Sequence, residues 1–122
     1  LEELTHPTRT YYMLELPVED PESDEGGWRA IGYCGTMVVA DTADVQTIGV
    51  LPEYEGHGFG RAMLEQMHER AREQGAERIL LEVRADNPRA QHLYERNGYR
   101  AIHVRRRYYE DGTDAIIMEC AF

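Results

Sequence analysis

Lysine is absent from this chain of 122 residues, and all 13 basic residues are arginine. A phosphate loop of the GxxxxGK[ST] type is therefore excluded, because its lysine is obligatory. No apolar run approaches the roughly 20 residues that a membrane-spanning helix requires, and no signal-peptide pattern opens the chain, so a cytoplasmic protein without a membrane partner is expected. Cysteine is scarce: Cys34 and Cys120 lie far apart, in neither a CxxC pair nor a Cys/His cluster, and read as buried free thiols. His57, His68, His92 and His103 show no metal-ligand spacing and read as surface groups, so no metal is expected. An excess of positive charge is also missing. The net charge of −10 argues against a general nucleic-acid binder, which needs clustered cations, and favours a cationic partner, although a solvated acidic surface is the more common explanation. Arginines 105–107 alternate faces on a predicted strand and make a weak patch.

What is present fits one domain. The 42% hydrophobic and 30% charged content is that of a globular chain long enough to bury a core. Residues 1–4 read as a helix tail stopped at Thr5-His6-Pro7, and residues 8–16 as a strand ended by Pro17. Residues 17–27, "PVEDPESDEGG", read as an exposed acidic hairpin loop. Strands follow over residues 28–40 and 44–50, joined by the turn Asp41-Thr42-Ala43, so the first three strands form an antiparallel meander.

The period then changes. Ala62, Met63, Met67 and Ala71 recur at helical spacing within residues 60–74, and Gly75 supplies a C-terminal cap. Residues 78–85, "RILLEVRA", form a buried strand that carries Glu82 among aliphatics. Asn87 is a helix N-cap followed by Pro88 at the first helical position, and that helix runs to Asn97 before Gly98. Residues 99–107 and 114–122 are closing strands joined by "YYEDG". The order β-β-β-α-β-α-β-β gives a mixed, mostly antiparallel α/β sheet flanked by helices.

The informative stretch is "YEGHGFGRAML", residues 54–64, where Gly56, Gly58 and Gly60 run into the first helix. Unpaired N–H groups at a glycine-rich helix N-terminus attract an anion, and glycine lets a phosphate approach the main chain. Arg61 adds a cation. A ligand-free tight connection explains the same spacing. A dinucleotide fingerprint fits poorly, since its third glycine falls at Arg61 and residues 51–55 separate the glycines from the strand.

The stretch "IGVLPEYEGHGFGRAMLEQM" resembles the acetyl-CoA pyrophosphate loop of the GCN5-related N-acetyltransferases, whose pattern is [QR]-x-x-G-x-[GA]. Here it reads Glu55-x-x-Gly58-x-Gly60, so an acid stands where the family has Gln or Arg, and its carboxylate is expected to turn away from the cofactor. "LEVRADNPRAQHLYERNGYR" and "VRRRYYEDGTDAIIM" extend the likeness to the RimI-like ribosomal-protein alanine N-acetyltransferases, from about Thr8 onward. The resemblance implies a single GNAT domain over residues 1–122, shortened at its front, because the family begins with a further strand and one or two helices.

It implies acetyl-CoA as cofactor, with coenzyme A as product. Ile48, Gly49 and Val50 would meet the pantetheine by main-chain hydrogen bonds. Gly56, His57, Gly58, Phe59, Gly60 and Arg61 would cradle the phosphates, and Asn87 would add a cofactor contact to its capping role. Tyr108 and Tyr109 would line a peptide slot, although exposed turn tyrosines are an equal reading of the residues alone.

Acetyl transfer to an amine needs a neutral amine and a protonated leaving thiolate, and direct attack in a ternary complex supplies both without a covalent enzyme. At neutral pH roughly a tenth or more of an α-amine is neutral, against about a two-thousandth of a lysine, so a modest base suffices for an N-terminus. Glu82 is the candidate base, its pKa expected to rise by burial, although an alternating strand equally permits it to face solvent. Tyr94 is the candidate acid, and packing its ring in the core is compatible with that role. The resemblance assigns the proton acceptor to Glu82 and the donor to Tyr94. The expected activity is acetyl-CoA-dependent acetylation of a protein N-terminal α-amine, with a ribosomal protein as candidate acceptor. A polyamine-like small-molecule acceptor and a non-catalytic coenzyme A-binding module remain as alternatives.

Overall fold

The computed structural model describes residues 7–18 and 26–122. The expected helix tail at residues 1–4 and most of the acidic loop lie outside these described residues. The elements are β1 (Thr8–Val18), β2 (Gly27–Val39), β3 (Thr42–Val50), α1 (Phe59–Glu73), β4 (Arg78–Arg84), α2 (Pro88–Arg96), β5 (Arg100–Arg105) and β6 (Ala115–Ala121), with a 3-10 turn at Pro52–Tyr54. The predicted order holds.

The strands form a sheet ordered β1-β2-β3-β4-β6-β5. The meander is antiparallel, as expected. β1 continues past Pro17, which pairs with Trp28. Among the described residues β1 is an edge strand with no outer neighbour to miss the proline N–H, so proline does not end it. The β2–β3 turn is also tighter than expected. Val39 pairs with Thr42, leaving Ala40 and Asp41 as the loop, and Ala40 adopts φ 53°. A two-residue hairpin needs a positive φ, and here an alanine supplies it.

Alternation puts Ile79, Leu81 and Val83 of β4 on one face with Met118 and Cys120 of β6 and Cys34 of β2. Both helices cover this face. Met63, Leu64, Met67 and Ala71 of α1 and Tyr94 of α2 join the same buried cluster. Gly60 lets the helices approach closely, since a Cβ there would lie 3.0 Å from Leu93 Cδ2. Cys34 and Cys120 are free and buried, as expected.

His68 is not a surface group. Its ring is half-buried, Nε2 lies 2.7 Å from the Tyr99 hydroxyl, and Tyr99 and Phe122 flank it. The helical spacing that buries Leu64 and Met67 also turns His68 partly inward, which a sequence count of metal spacings does not register.

One irregularity in the sheet positions the site. β3 and β4 run parallel but pair only over Thr42–Arg78, Ala43–Ile79 and Asp44–Leu80. Beyond that point the strands part, so main-chain groups of β3 from Val45 to Val50 on the side turned from β2 have no ladder partner in β4.

Candidate active site

A cleft of about 860 Å³ opens where β3 and β4 separate, lined by Ile48, Gly49 and Val50 of β3, the glycine loop, Arg61, and Asn87, Arg89, Ala90, Leu93, Tyr94, Arg96 and Asn97 from the α2 region. The loop reaches it by two left-handed residues, Gly56 at φ 79° and Gly58 at φ 85°. Gly58 is the N-cap of α1, with no side-chain cap and no acid in the first turn. Ala62 N–H donates to the Gly58 carbonyl at 3.0 Å, which closes the helix but leaves the preceding first-turn N–H groups without helical acceptors. An uncapped N-terminus of a 15-residue helix beside glycines is suited to an anion.

Alternation divides the loop. Gly56, Gly58 and Gly60 line the cleft, whereas His57 and Phe59 do not. His57 Nδ1 lies 3.1 Å from the Tyr54 carbonyl and 3.0 Å from that of Glu55. Carbonyl oxygens only accept, so Nδ1 carries the proton and the ring braces the loop from behind. Phe59 stacks beside His57 and packs near Tyr54. Of the side chains expected at the cofactor, these two therefore serve the loop's shape.

Three of the charged groups at the cleft are already paired, whereas Arg96 has no ion-pair partner among the described residues. Arg61 Nε stands 3.0 Å from Glu65, and Arg89 Nη1 stands 2.9 Å from Glu55 Oε2. Glu55 lines the cleft wall, so its carboxylate does not turn away from the site as expected: the guanidinium of Arg89, brought there by α2, holds it. Asn87 caps α2, its Oδ1 accepting from Ala90 N–H at 3.1 Å, so its amide nitrogen is the part left for a ligand.

Tyr94 is 7% exposed, and its ring meets Tyr99 edge-on at 5.8 Å. Burial raises its pKa, which keeps the hydroxyl protonated across neutral pH. It lines the cleft and so combines a core ring with an accessible edge. Burial also pushes the Cys34 thiol up to about 11, so no thiolate nucleophile forms there at neutral pH.

Glu82 lies elsewhere. It is on the β4 face away from the core, in a depression of about 420 Å³ lined also by Asp44, Val45, Gln46, Leu80, Leu81, Arg105, Tyr109 and Ile117. The expectation that it is buried is overturned: its side chain is 38% exposed and faces Arg105 Nη1 at 3.6 Å. The period-2 pleat assigns burial to Leu81 and Val83 and turns the residue between them outward. Asp44 shares the depression, and burial reinforced by the Glu82 carboxylate raises its pKa.

Arg84 does not line that depression but holds the loop that carries Tyr109 to it. Its guanidinium bonds Asp86 (3.0 and 3.2 Å), Asp111 and the Thr113 hydroxyl (3.1 Å), and lies 4.6 Å from the Tyr109 ring centre. The β5–β6 loop is thereby fastened to the end of β4, with Tyr109 at the pocket. Arg107, at φ 50°, donates its N–H to Asp114 Oδ1 at 2.8 Å. Tyr108 does not line the depression; it is exposed and packs edge-on against Tyr109 with Arg105 near its ring.

Ile48, Gly49, Val50, the three loop glycines, Arg61, Asn87 and Tyr94 thus meet in one cleft, while Glu82 and Tyr109 meet in another across the sheet. Sequence reasoning missed Arg89, Arg96, Asp44 and Arg105. Arg105 is visible only as one of three consecutive arginines, and strand alternation is the signal that would have singled it out on the Glu82 face.

The profile of the acetyltransferase (GNAT) family matches residues 4–99. A Bacillus subtilis (strain 168) protein whose name proposes ribosomal protein bS18-alanine N-acetyltransferase activity is 41% identical over 107 residues, covering 87% of this chain and 71% of its own. The ribosomal protein bS18-alanine N-acetyltransferase of Escherichia coli (strain K12) is 44% identical over 86 residues, covering 68% of this chain and 58% of its own, so the chain spans less than two thirds of that relative. The crystal structure of the Escherichia coli ribosomal-protein-S18-alanine N-acetyltransferase superposes with a TM-score of 0.70 at 30% identity, over 93% of this chain and 94% of that one. The chain belongs to the acetyltransferase (GNAT) family, whose acetyl donor is acetyl-CoA.

Proposed function

We propose that the protein transfers the acetyl group of acetyl-CoA to the α-amino group of a protein N-terminus, with a ribosomal protein's N-terminal alanine as the acceptor. The observation that carries this reading is the meeting of an uncapped, glycine-rich helix N-terminus with the unpaired edge of β3 along one cleft. An anion-binding end and a strand edge suit a ligand that has phosphates at one end and a chain of amides at the other. The acceptor class follows the names of the relatives described above. A cytoplasmic reaction goes with that acceptor, and no helix among the described residues is long and apolar enough to cross a membrane.

Acetyl-CoA supplies the activated acyl group. The first-turn N–H groups of α1, with the glycines and Arg61, hold its negative charge, while β3 offers N–H and C=O groups in line and Asn87 its amide nitrogen. The scheme requires the gap between β3 and β4, which pair only as far as Asp44–Leu80, to join the cleft to the opposite face of the sheet. From that face Glu82 accepts the proton of the acceptor ammonium, directly or through water, and Tyr109, with Tyr108 beside it, borders the acceptor. As the amine nitrogen bonds the acetyl carbon and the carbon–sulfur bond breaks, the protonated Tyr94 hydroxyl would give a proton to the leaving sulfur from the helix side, and the second proton lost by the nitrogen would restore Tyr94. Neither cysteine takes part. Residues 1–122 act as one GNAT domain in this scheme.

Incubation with acetyl-CoA and a peptide beginning with alanine, followed by mass spectrometry and thiol release, tests the reading. Acetylation of the peptide α-amine supports it. Polyamine acetylation with the peptide untouched refutes the acceptor class, and cofactor binding without turnover on either refutes catalysis.

A further inference from the structure

Glu55 is the one carboxylate among the described residues that line the cleft, and its partner is the guanidinium of Arg89, 2.9 Å away. The two come from different elements, the glycine loop and the first turn of α2. Arg89 sits awkwardly for its own helix: the N-terminal end of a helix dipole is positive, and the first turn of α2 holds no acid to balance a cation there. An anion must come from outside the helix. Arg89 Nη2 also reaches over the loop backbone, 3.6 Å from where a Cβ on Gly56 would stand. Two helix N-termini, Arg61 and Arg89 therefore converge on one positive region, and Glu55 reaches it at Arg89.

We propose that Glu55 is a placeholder anion: it holds Arg89 in the cofactor-free protein, and Arg89 exchanges it for a phosphate group of acetyl-CoA when the cofactor binds. Arg89 is then a cofactor-binding residue, and Glu55 a negative determinant of cofactor affinity. The inference rests on reading the cleft as the acetyl-CoA site. Exchange is feasible because both side chains are open to solvent, 69% exposed for Arg89 and 42% for Glu55. An exposed ion pair of this kind is weak, whereas a phosphate brings more charge and several acceptor oxygens to the same guanidinium.

The test is calorimetric titration of acetyl-CoA into the wild type, Glu55→Gln, Arg89→Gln and the double variant, at low ionic strength. Glu55→Gln is expected to bind acetyl-CoA about three- to tenfold more tightly, a gain that shrinks as salt is raised. Arg89→Gln is expected to bind about tenfold more weakly. In the double variant the gain from removing Glu55 should fall below about twofold, because there is no Arg89 left to release. Unchanged or weaker binding by Glu55→Gln overturns the proposal. So does a gain of full size in the Arg89→Gln background, which would mark simple charge repulsion rather than an exchange of partners. Failure of the wild type to bind acetyl-CoA at all would instead refute the reading of the cleft.

Discussion

Gly58→Ala isolates the role of the loop conformation. Gly58 has φ 85°, and a Cβ added there meets nothing within 4 Å, so the substitution carries a backbone penalty without a clash. Holding an L-residue in the left-handed region costs about 1–2 kcal/mol. That cost has two possible destinations. If the loop keeps its shape, the cofactor-free protein loses about 1–2 kcal/mol and acetyl-CoA binds as before. If the loop relaxes, the free protein is spared, and rebuilding the N-terminus of α1 around the ligand raises the dissociation constant by about 5- to 30-fold. In both cases the cofactor-bound form is destabilised by the same 1–2 kcal/mol. Denaturant titrations with and without saturating acetyl-CoA, combined with calorimetric dissociation constants, measure the sum. Gly58→Asn should recover much of the loss, since asparagine tolerates this conformation better than alanine. A bound-state change below about 0.5 kcal/mol in Gly58→Ala, or an asparagine variant as impaired as the alanine, would refute the argument that a left-handed residue builds this site.

Other outcomes follow from the same geometry. Tyr94→Phe keeps the ring packed on Tyr99 and removes only the hydroxyl, and Glu82→Gln removes only the exposed carboxylate charge. Each should lower turnover by about 100-fold with little change in the acetyl-CoA dissociation constant, and lost cofactor binding in either would show a structural residue instead. His68 sets a pH dependence. Burial, then Arg72, lowers its pKa below the ordinary 6.5, so the folded state favours the neutral ring. As pH falls through 6.5 the unfolded chain takes up the proton first, and stability should decline from there to the lower folded-state value. His68→Gln should flatten that part of a denaturation-midpoint profile, and an unchanged slope would show that other groups set it.

The fold was legible where local signals agreed. Helical spacing marks Met63, Met67 and Ala71, Asn87-Pro88 marks the start of α2, and β-branched, aromatic and aliphatic runs between turn residues mark the strands, so the element order emerges without tertiary information. Discrepancies arose where partners distant in sequence decide. Pro17 stays in β1 because that strand is at the sheet edge, and Ala40 takes a turn conformation because a hairpin closes around it. Neither cause is local. Glu82 looked buried among aliphatics, yet the pleat sends it to the face opposite Leu81 and Val83. The glycine cradle could be read because helix capping is local chemistry. The Glu55–Arg89 pair, the Arg84 clamp on the Tyr109 loop and the His68–Tyr99 hydrogen bond could not, because each joins segments that meet only after folding.

The central claim is acetyl transfer to an N-terminal α-amine, and competition within one peptide tests it most directly. A peptide with an N-terminal alanine and an internal lysine, incubated with the protein and acetyl-CoA near neutral pH, is mapped by fragmentation mass spectrometry while released coenzyme A is measured. The account predicts one acetyl group per peptide, on the alanine nitrogen, matched by released thiol and lost in Tyr94→Phe. Acetylation confined to the lysine side chain, or thiol release without an acetylated α-amine, would contradict it.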